Sequence, residues 1–175
     1  MIGIILALAV LVLPLQWFLA IVLAAVFHEL CHYLAVKICG GQFMGLEFGA
    51  EGARMEVWGL SDIQELICAL AGPLGGLCLL LFVRWIPRMA ICAACQSLFN
   101  LIPVYPLDGG RAMMCLLNMF MPEKADRVCL WVRRICLLGI TGLGLYGSLV
   151  LRLGAFPMAV TIMIFAKIAC KPDRH

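Results

Sequence analysis

The chain has 175 residues, of which 65% are hydrophobic and only 13% are charged, and its mean hydropathy is +1.07. Soluble domains are roughly half apolar and a quarter charged, so this composition excludes a water-soluble globular monomer and a disordered segment, and it predicts a protein embedded in a bilayer. The net charge of +3 is small and scattered along the chain, which argues against nucleic acid as a partner.

The apolar runs predict an all-α polytopic membrane protein with about six transmembrane helices, forming a single domain over residues 1–175. A helix needs about 20 apolar residues to cross the hydrocarbon, and Pro14 divides the first apolar run because proline disfavours helix interiors. The predicted spans are 2–13, 16–38, 63–86, 88–120 (broken at 100–110), 127–151 and 156–169. The first of them is short, so the sequence leaves open whether it crosses fully.

Residues 42–60 have a different pattern, in which apolar residues alternate with others around the sequence Gly49-Ala50-Glu51-Gly52. Alternation with a period of two is typical of a strand, and the glycines favour a turn. The sequence therefore predicts a short β-hairpin, which we expect at the membrane surface.

The run that follows Phe27 contains ionisable residues in an otherwise apolar helix: His28, Glu29 and His32. Positions i and i+4 share a helix face, so the two histidines can present ring nitrogens to one ion, with Glu29 close enough to reach a metal-bound water. This is the H-E-x-x-H arrangement of zinc peptidases. The alternative is a pair of neutral core histidines bonded to carbonyl groups, but a buried carboxylate beside them would then be costly.

A zinc peptidase needs a third protein ligand, and two acidic residues compete for that role. Asp108 follows an uncharged run with two prolines and precedes Gly109-Gly110, a segment of irregular backbone that membranes tolerate only inside protein or beside a wet cavity. It could instead cap a helix starting near Arg111, or pair with Arg111. Glu51 has a suitable spacing from His32, but the predicted turn would leave it in water.

Two motifs in this order resemble the site-2 protease family of intramembrane zinc metalloproteases. They are His28-Glu29-Leu30-Cys31-His32 and the run from Asn100 to Gly110, with sequence NLIPVYPLDGG. Ala71-Gly72-Pro73 in the intervening span is also similar to the family. The small size and the span layout look most like the branch that contains the stage IV sporulation protease. Cys31 departs from the family, where glycine is common at this position.

The resemblance implies a zinc-dependent endopeptidase, with one Zn²⁺ held by His28, His32 and Asp108 and with Glu29 as the catalytic acid and base. The expected substrate is a membrane-spanning protein that unwinds before cleavage. We expect Asn100, Pro103 and Pro106 to help to hold it in an extended form, since backbone groups around the prolines can add a strand. The other expected partners are the lipid bilayer and an unidentified membrane regulator.

The distribution of positive residues predicts a multi-pass protein of the bacterial cell membrane with both termini in the cytoplasm. Six spans place both ends on one side, and positive residues favour the cytoplasmic side. The residues expected at or near that side are Lys37, Arg54, Lys124, Arg127, Lys167, Lys171 and Arg174, against Arg84, Arg88 and Arg152 opposite.

Three other interpretations remain open at the level of sequence. The first is an inactive relative that acts as a membrane binding scaffold. The second is a small metal or proton transporter that uses the same ionisable groups. The third is an unrelated membrane zinc peptidase in which Glu51 replaces Asp108 as the third ligand.

Overall fold

A computed structural model of the chain describes residues 14–49 and 52–149. The chain divides into two compact units, Met1–Ile102 and Pro103–His175, and each is described by itself. The helices predicted at 2–13 and 156–169, and Glu51, lie outside the described residues. The expectation of a single domain stays a prediction.

Helix α1, Leu15–Ile38, begins directly after Pro14, whose carbonyl accepts a hydrogen bond from the Trp17 N–H at 2.8 Å. Helix α1 ends just before Gly40-Gly41. Gly40 has a φ of 76° and donates to the Lys37 carbonyl, while Gly41 donates to the Val36 carbonyl at 3.0 Å. This is a Schellman motif, which needs a left-handed residue that glycine supplies without a Cβ clash.

Strands β1, Gln42–Gly49, and β2, Gly52–Trp58, form a two-stranded antiparallel sheet. Their register pairs Gln42 with Trp58 and Gly49 with Gly52, with one irregularity between Phe43 and Gly45. The two strands lie where the alternating pattern predicted them. Their position relative to a membrane surface stays a prediction.

Helix α2, Asp62–Cys78, begins with a capping box between Ser61 and Gln64. The Ser61 N–H donates to Oε1 of Gln64 at 2.9 Å, and such reciprocal bonds satisfy amides that have no partner within the helix. Nε2 of Gln64 also donates to the Cys39 carbonyl, at 3.1 Å. The start of α2 is therefore tied directly to the end of α1.

The α-helix of the third predicted span is shorter than the sequence indicated. Helix α2 stops at Cys78, and a 3-10 turn follows at Leu79–Phe82, whereas a continuous helix to residue 86 was expected. Helix α3, Pro87–Asn100, then begins with Pro87 in its first turn, where its missing N–H costs nothing. The break expected after residue 100 is present, because the next helix begins at Asp108.

Helices α1, α2 and α3 pack against one another through small residues. The core of this first unit contains Ala24, Leu79, Ala90 and Ala93, with Phe27, Met89 and Cys92 packed against it. In lipid the hydrophobic effect does not drive helices together. Small residues instead let the helix backbones come close enough for dispersion and polar contacts to stabilise the packing. The larger apolar side chains of α1, such as Leu23, Val26 and Leu34, are exposed, as a lipid-facing surface requires.

One contact in this interface gives a stability prediction. Ser97 is fully buried, its Oγ has no hydrogen-bond partner, and a Cβ at Gly76 would overlap that oxygen. We expect Ser97→Ala to raise the unfolding free energy by up to about 1 kcal/mol, because a buried hydroxyl without a partner is costly. Gly76→Ala should lower it by about 1–3 kcal/mol through overpacking.

Thermal unfolding in detergent measures both effects, and the double variant should recover part of the loss caused by Gly76→Ala. A loss for Ser97→Ala as large as that for Gly76→Ala would contradict the prediction, because it would give the hydroxyl a stabilising role.

The second unit contains α4, Asp108–Phe120, and α5, Ala125–Leu149, joined by a 3-10 turn at Pro122–Lys124. Helices α4 and α5 pack on each other. The fifth predicted span, 127–151, corresponds to α5 within its described part.

Among the described residues, three helical segments are long and apolar enough to cross a membrane: Leu15–Ile38, Asp62–Phe82 and Pro122–Tyr146. The described chain is therefore a mostly helical membrane protein, as its composition predicted. Helices α3 and α4 have only 14 and 13 residues and are not among these segments, so a total of six spans stays a prediction.

Candidate metal centre

The two histidines lie on the one buried stripe of α1. Its buried residues recur at every fourth position: Ala20, Ala24, His28, His32 and Val36. His28 is 2% exposed and His32 is 8% exposed. Small residues neighbour them on this stripe, which lets α2 and α3 approach α1 closely.

The tautomer of His32 is determined by a backbone group of α2. Its Nδ1 lies 2.7 Å from the Cys68 carbonyl oxygen in a buried hydrogen bond, and since a carbonyl can only accept, Nδ1 carries the proton. In the neutral ring, Nε2 therefore presents a lone pair. A histidine that binds a metal through one nitrogen characteristically donates its other N–H to a carbonyl or carboxylate.

Nε2 of His28 lies 3.2 Å from Nε2 of His32, and the two rings meet edge to face. Nδ2 of Asn100, the last residue of α3, donates to the same His28 nitrogen at 3.1 Å. A nitrogen that accepts this bond carries no proton, so both Nε2 atoms are acceptors that lie close together.

Such a pair of acceptors fits a cation between them. Two nitrogens bound to one tetrahedral zinc ion at its usual bond length are about 3.3 Å apart, close to the separation observed here. The donor set, the imposed tautomer and the burial therefore all fit a metal ion. The Cys68 contact fits a neutral core histidine equally well, and the short distance between two acceptor nitrogens is what favours a cation.

Two glycines of α2 make room for His32 and Cys31 of α1. A Cβ at Gly72 would overlap Nε2 of His32 and would lie 2.7 Å from Cδ2 and Cε1 of the same ring. A Cβ at Gly75 would overlap Sγ of Cys31. Cys31 stands where glycine is common in site-2 proteases. Its side chain therefore fits against a glycine on the facing helix.

Glu29 lies next to the stripe that carries the histidines, and its side chain is exposed. One residue of helix corresponds to about a hundred degrees of rotation, so Glu29 flanks the converging nitrogens without being part of the buried pair. The structure neither adds to nor removes its predicted catalytic role, which stays a prediction.

In the second unit, Asp108 is half-buried in the first turn of α4. The helix starts at Asp108 itself, with Leu107 in the N-cap position and no side-chain capping bond. The alternative that Asp108 caps a helix starting near Arg111 is therefore wrong. A carboxylate in the first turn is still favoured by the helix dipole.

The segment that leads to Asp108 folds tightly on the start of α4. The Leu107 N–H donates to the Val104 carbonyl at 2.9 Å, and a Cβ at Gly110 would overlap backbone atoms of Val104 and Tyr105. Pro103 and Pro106 are half-buried. The Leu107 N–H is already used within this turn, so a substrate strand would have to pair with other backbone groups there.

The structure thus brings together His28, His32 and Asn100 of the first unit, and it orders Asp108, Pro103 and Pro106 at one end of α4. His28, His32 and Asp108 supply two imidazole nitrogens and a carboxylate oxygen, a donor set able to hold a metal ion. Sequence reasoning missed the Cys68 carbonyl, which no side chain marks. It noticed Gly72 only as part of a family motif, without its role in admitting His32.

No family model and no curated protein matches this sequence. Among solved structures, the site-2 protease from Methanocaldococcus jannaschii is similar, with a TM-score of 0.70 and 19% sequence identity, over 99% of this chain and 87% of that chain. At this identity the similarity shows the fold. The chain is therefore a mostly helical membrane protein with the fold of that site-2 protease. This confirms the predicted helical membrane fold, whereas the six spans and the sporulation-protease branch stay predictions.

Proposed function

We propose that this protein is an intramembrane zinc metalloendopeptidase of the site-2 protease family, which hydrolyses peptide bonds of membrane-embedded protein substrates. The observation that carries the proposal is the pair of Nε2 atoms of His28 and His32, 3.2 Å apart and buried in a membrane-span candidate. The fold shared with a site-2 protease supports it, and the small size and span layout favour a branch like that of the stage IV sporulation protease.

The proposed metal is one zinc ion, held by His28, His32 and Asp108. When bound, zinc lowers the pKa of a coordinated water towards neutrality and polarises a carbonyl group. Besides holding the ion, the protein orients the rings of its ligands. The Cys68 carbonyl fixes the ring of His32 through its 2.7 Å bond, which raises the basicity of the opposite nitrogen.

Glu29 is proposed to move the protons of the reaction. Its carboxylate accepts a proton from the attacking water and returns it to the nitrogen of the departing amine, which is general acid–base catalysis by one group. An unwound substrate segment would lie near Asn100 and residues 103–106 and pair with backbone groups there. In the absence of the ion the Asn100 amide donates to Nε2 of His28; because that nitrogen has a single lone pair, the amide would have to release it when zinc binds.

The proposed setting is a multi-pass protein of the bacterial cell membrane with both termini in the cytoplasm. Its partners are a membrane-spanning protein substrate, the lipid bilayer and a membrane regulator. The distribution of positive residues supports the orientation.

The proposal is tested by replacing Glu29 with glutamine in the full chain. We expect Glu29→Gln to keep its zinc and to lose at least about 100-fold in cleavage rate, because an amide cannot take the proton of the water while both histidines stay intact. Zinc content is measured by elemental analysis of the purified protein, and cleavage by co-expression with candidate single-span substrates. Glu123→Gln, at an exposed glutamate of the second unit, is the matched control.

The alternatives predict different results. A binding scaffold would show no cleavage in the wild type, and a transporter would move zinc into vesicles without cleaving peptides. Cleavage by Glu29→Gln at the wild-type rate would remove the general base from the mechanism.

A further inference from the structure

Helix α5 carries a second feature that the proposed peptidase activity does not use. Its only described cations lie in the half that follows Pro122, and from Ile135 to Leu151 the sequence has no charged residue. Seventeen uncharged and mostly apolar residues are at the lower limit for a transmembrane helix. The hydrocarbon boundary on α5 therefore falls near Arg134, and the basic half lies at headgroup depth.

Arg133 lies on the opposite side of α5. The other basic residues of this region, including Lys124 in the 3-10 turn just before the helix, share one face with the tryptophan. Counting from Lys124, they recur after three, seven and ten residues as Arg127, Trp131 and Arg134, and Leu138 continues the same stripe. These spacings place side chains on one side of a helix. All five are exposed, Trp131 by 59% and Leu138 by 74%.

The stripe changes in character from charged to apolar towards the hydrocarbon part of the helix. The guanidinium of Arg134 lies over the ring of Trp131, with Cζ 5.6 Å from the ring centroid, a cation–π arrangement. Asp126 lies about a hundred degrees further round the helix than Arg127. Glu123 comes four residues before Arg127 and shares the stripe, so the stripe carries three cations against one carboxylate.

We propose that the face formed by Lys124, Arg127, Trp131, Arg134 and Leu138, here called the basic face, binds the headgroup of an anionic phospholipid. The cations pair with the phosphate, Trp131 lies at the level of the ester groups as interfacial tryptophans do, and Leu138 contacts the acyl chain. The occupant follows from charge complementarity and from the apolar part of the same stripe, which a soluble anion would leave uncovered.

The basic face should select anionic lipid from a mixture. Each basic residue near an anionic surface adds about fivefold to the association. Wild-type protein in micelles with equimolar phosphatidylglycerol and phosphatidylcholine should therefore retain phosphatidylglycerol preferentially, as measured by native mass spectrometry. The triple variant Lys124→Gln, Arg127→Gln, Arg134→Gln should lose that preference, whereas Arg84→Gln with Arg88→Gln, at exposed arginines of the first unit, should keep it.

The position of the lipid is tested by fluorescence. With phenylalanine at positions 17, 58 and 85, Trp131 is the remaining tryptophan, and its emission should be quenched more by brominated phosphatidylglycerol than by brominated phosphatidylcholine. High salt should remove the difference. Equal quenching by the two lipids overturns the proposal, as does shielding of Trp131 that increases with protein concentration, which would mean that a second copy covers this face.

Discussion

Replacement of Asp108 by alanine is expected to reduce zinc affinity by more than about 100-fold and to abolish cleavage. Loss of a group that merely supports a ligand costs 10–100-fold, and loss of a ligand should cost more. Asp108 is half-buried in the first turn of α4, and a cation bound beside it would offset the desolvation penalty of its carboxylate. Zinc content and cleavage are measured on the same purified sample.

The chain offers a close control for this experiment. Asp126 is also an aspartate in the first turn of its helix, but it is exposed, so Asp126→Ala should change neither zinc content nor cleavage. Glu51→Ala, at a residue outside the described part of the chain, should also have little effect. If Glu51→Ala strips the metal and Asp108→Ala retains it, the third ligand is Glu51 and the protein is an unrelated zinc peptidase.

Replacement of Gly72 by alanine is expected to lower zinc affinity by about 10–100-fold although every proposed ligand remains. The added methyl group would overlap Nε2 of His32, so the ring must move away from the Cys68 carbonyl and from the nitrogen of His28. Cleavage should decrease with the zinc content and recover in part at high zinc concentration. A loss of folding alone would not recover in this way.

Gly139→Ala is the control for this substitution, because nothing lies within 4 Å of a Cβ at Gly139 in α5. Alanine is the better helix former, so this variant should be as stable as the wild type or more so. A Gly72→Ala variant with wild-type zinc affinity would contradict the close approach between α2 and the ring of His32.

Local sequence signals predicted much of the fold. Pro14 and the pair Gly40-Gly41 delimit α1 because their effects act within a single turn of helix. The prolines and glycines between Asn100 and Arg111 likewise predicted the interruption between α3 and α4. By contrast, the 3-10 turn at Leu79–Phe82 occurs in a uniformly apolar run that carries no local signal for a helix end.

The sequence also identified the histidine pair, because a spacing of four puts two residues on one face whatever surrounds them. It could not identify the Cys68 carbonyl, because any residue at position 68 would present the same backbone group. Nor could it tell that Gly72, rather than the neighbouring Ala71, faces His32, because that depends on the register between two helices. Both contacts depend on how α1 and α2 pack against each other in the folded protein.

The bond from Gln64 to the Cys39 carbonyl has a consequence for how this scaffold can change. The Gln64 side chain joins the end of α1 to the start of α2. It therefore fixes the distance between the two helices at the points where the chain leaves α1 for the strands and enters α2 after them. Residues 42–58 therefore form an insert between two anchored points, and the entropic cost of closing a longer connection between fixed ends grows only slowly with its length. A fluorescent reporter or an affinity tag could be grafted into this segment without disturbing His28 and His32, and evolution would be free to lengthen or shorten it in the same way.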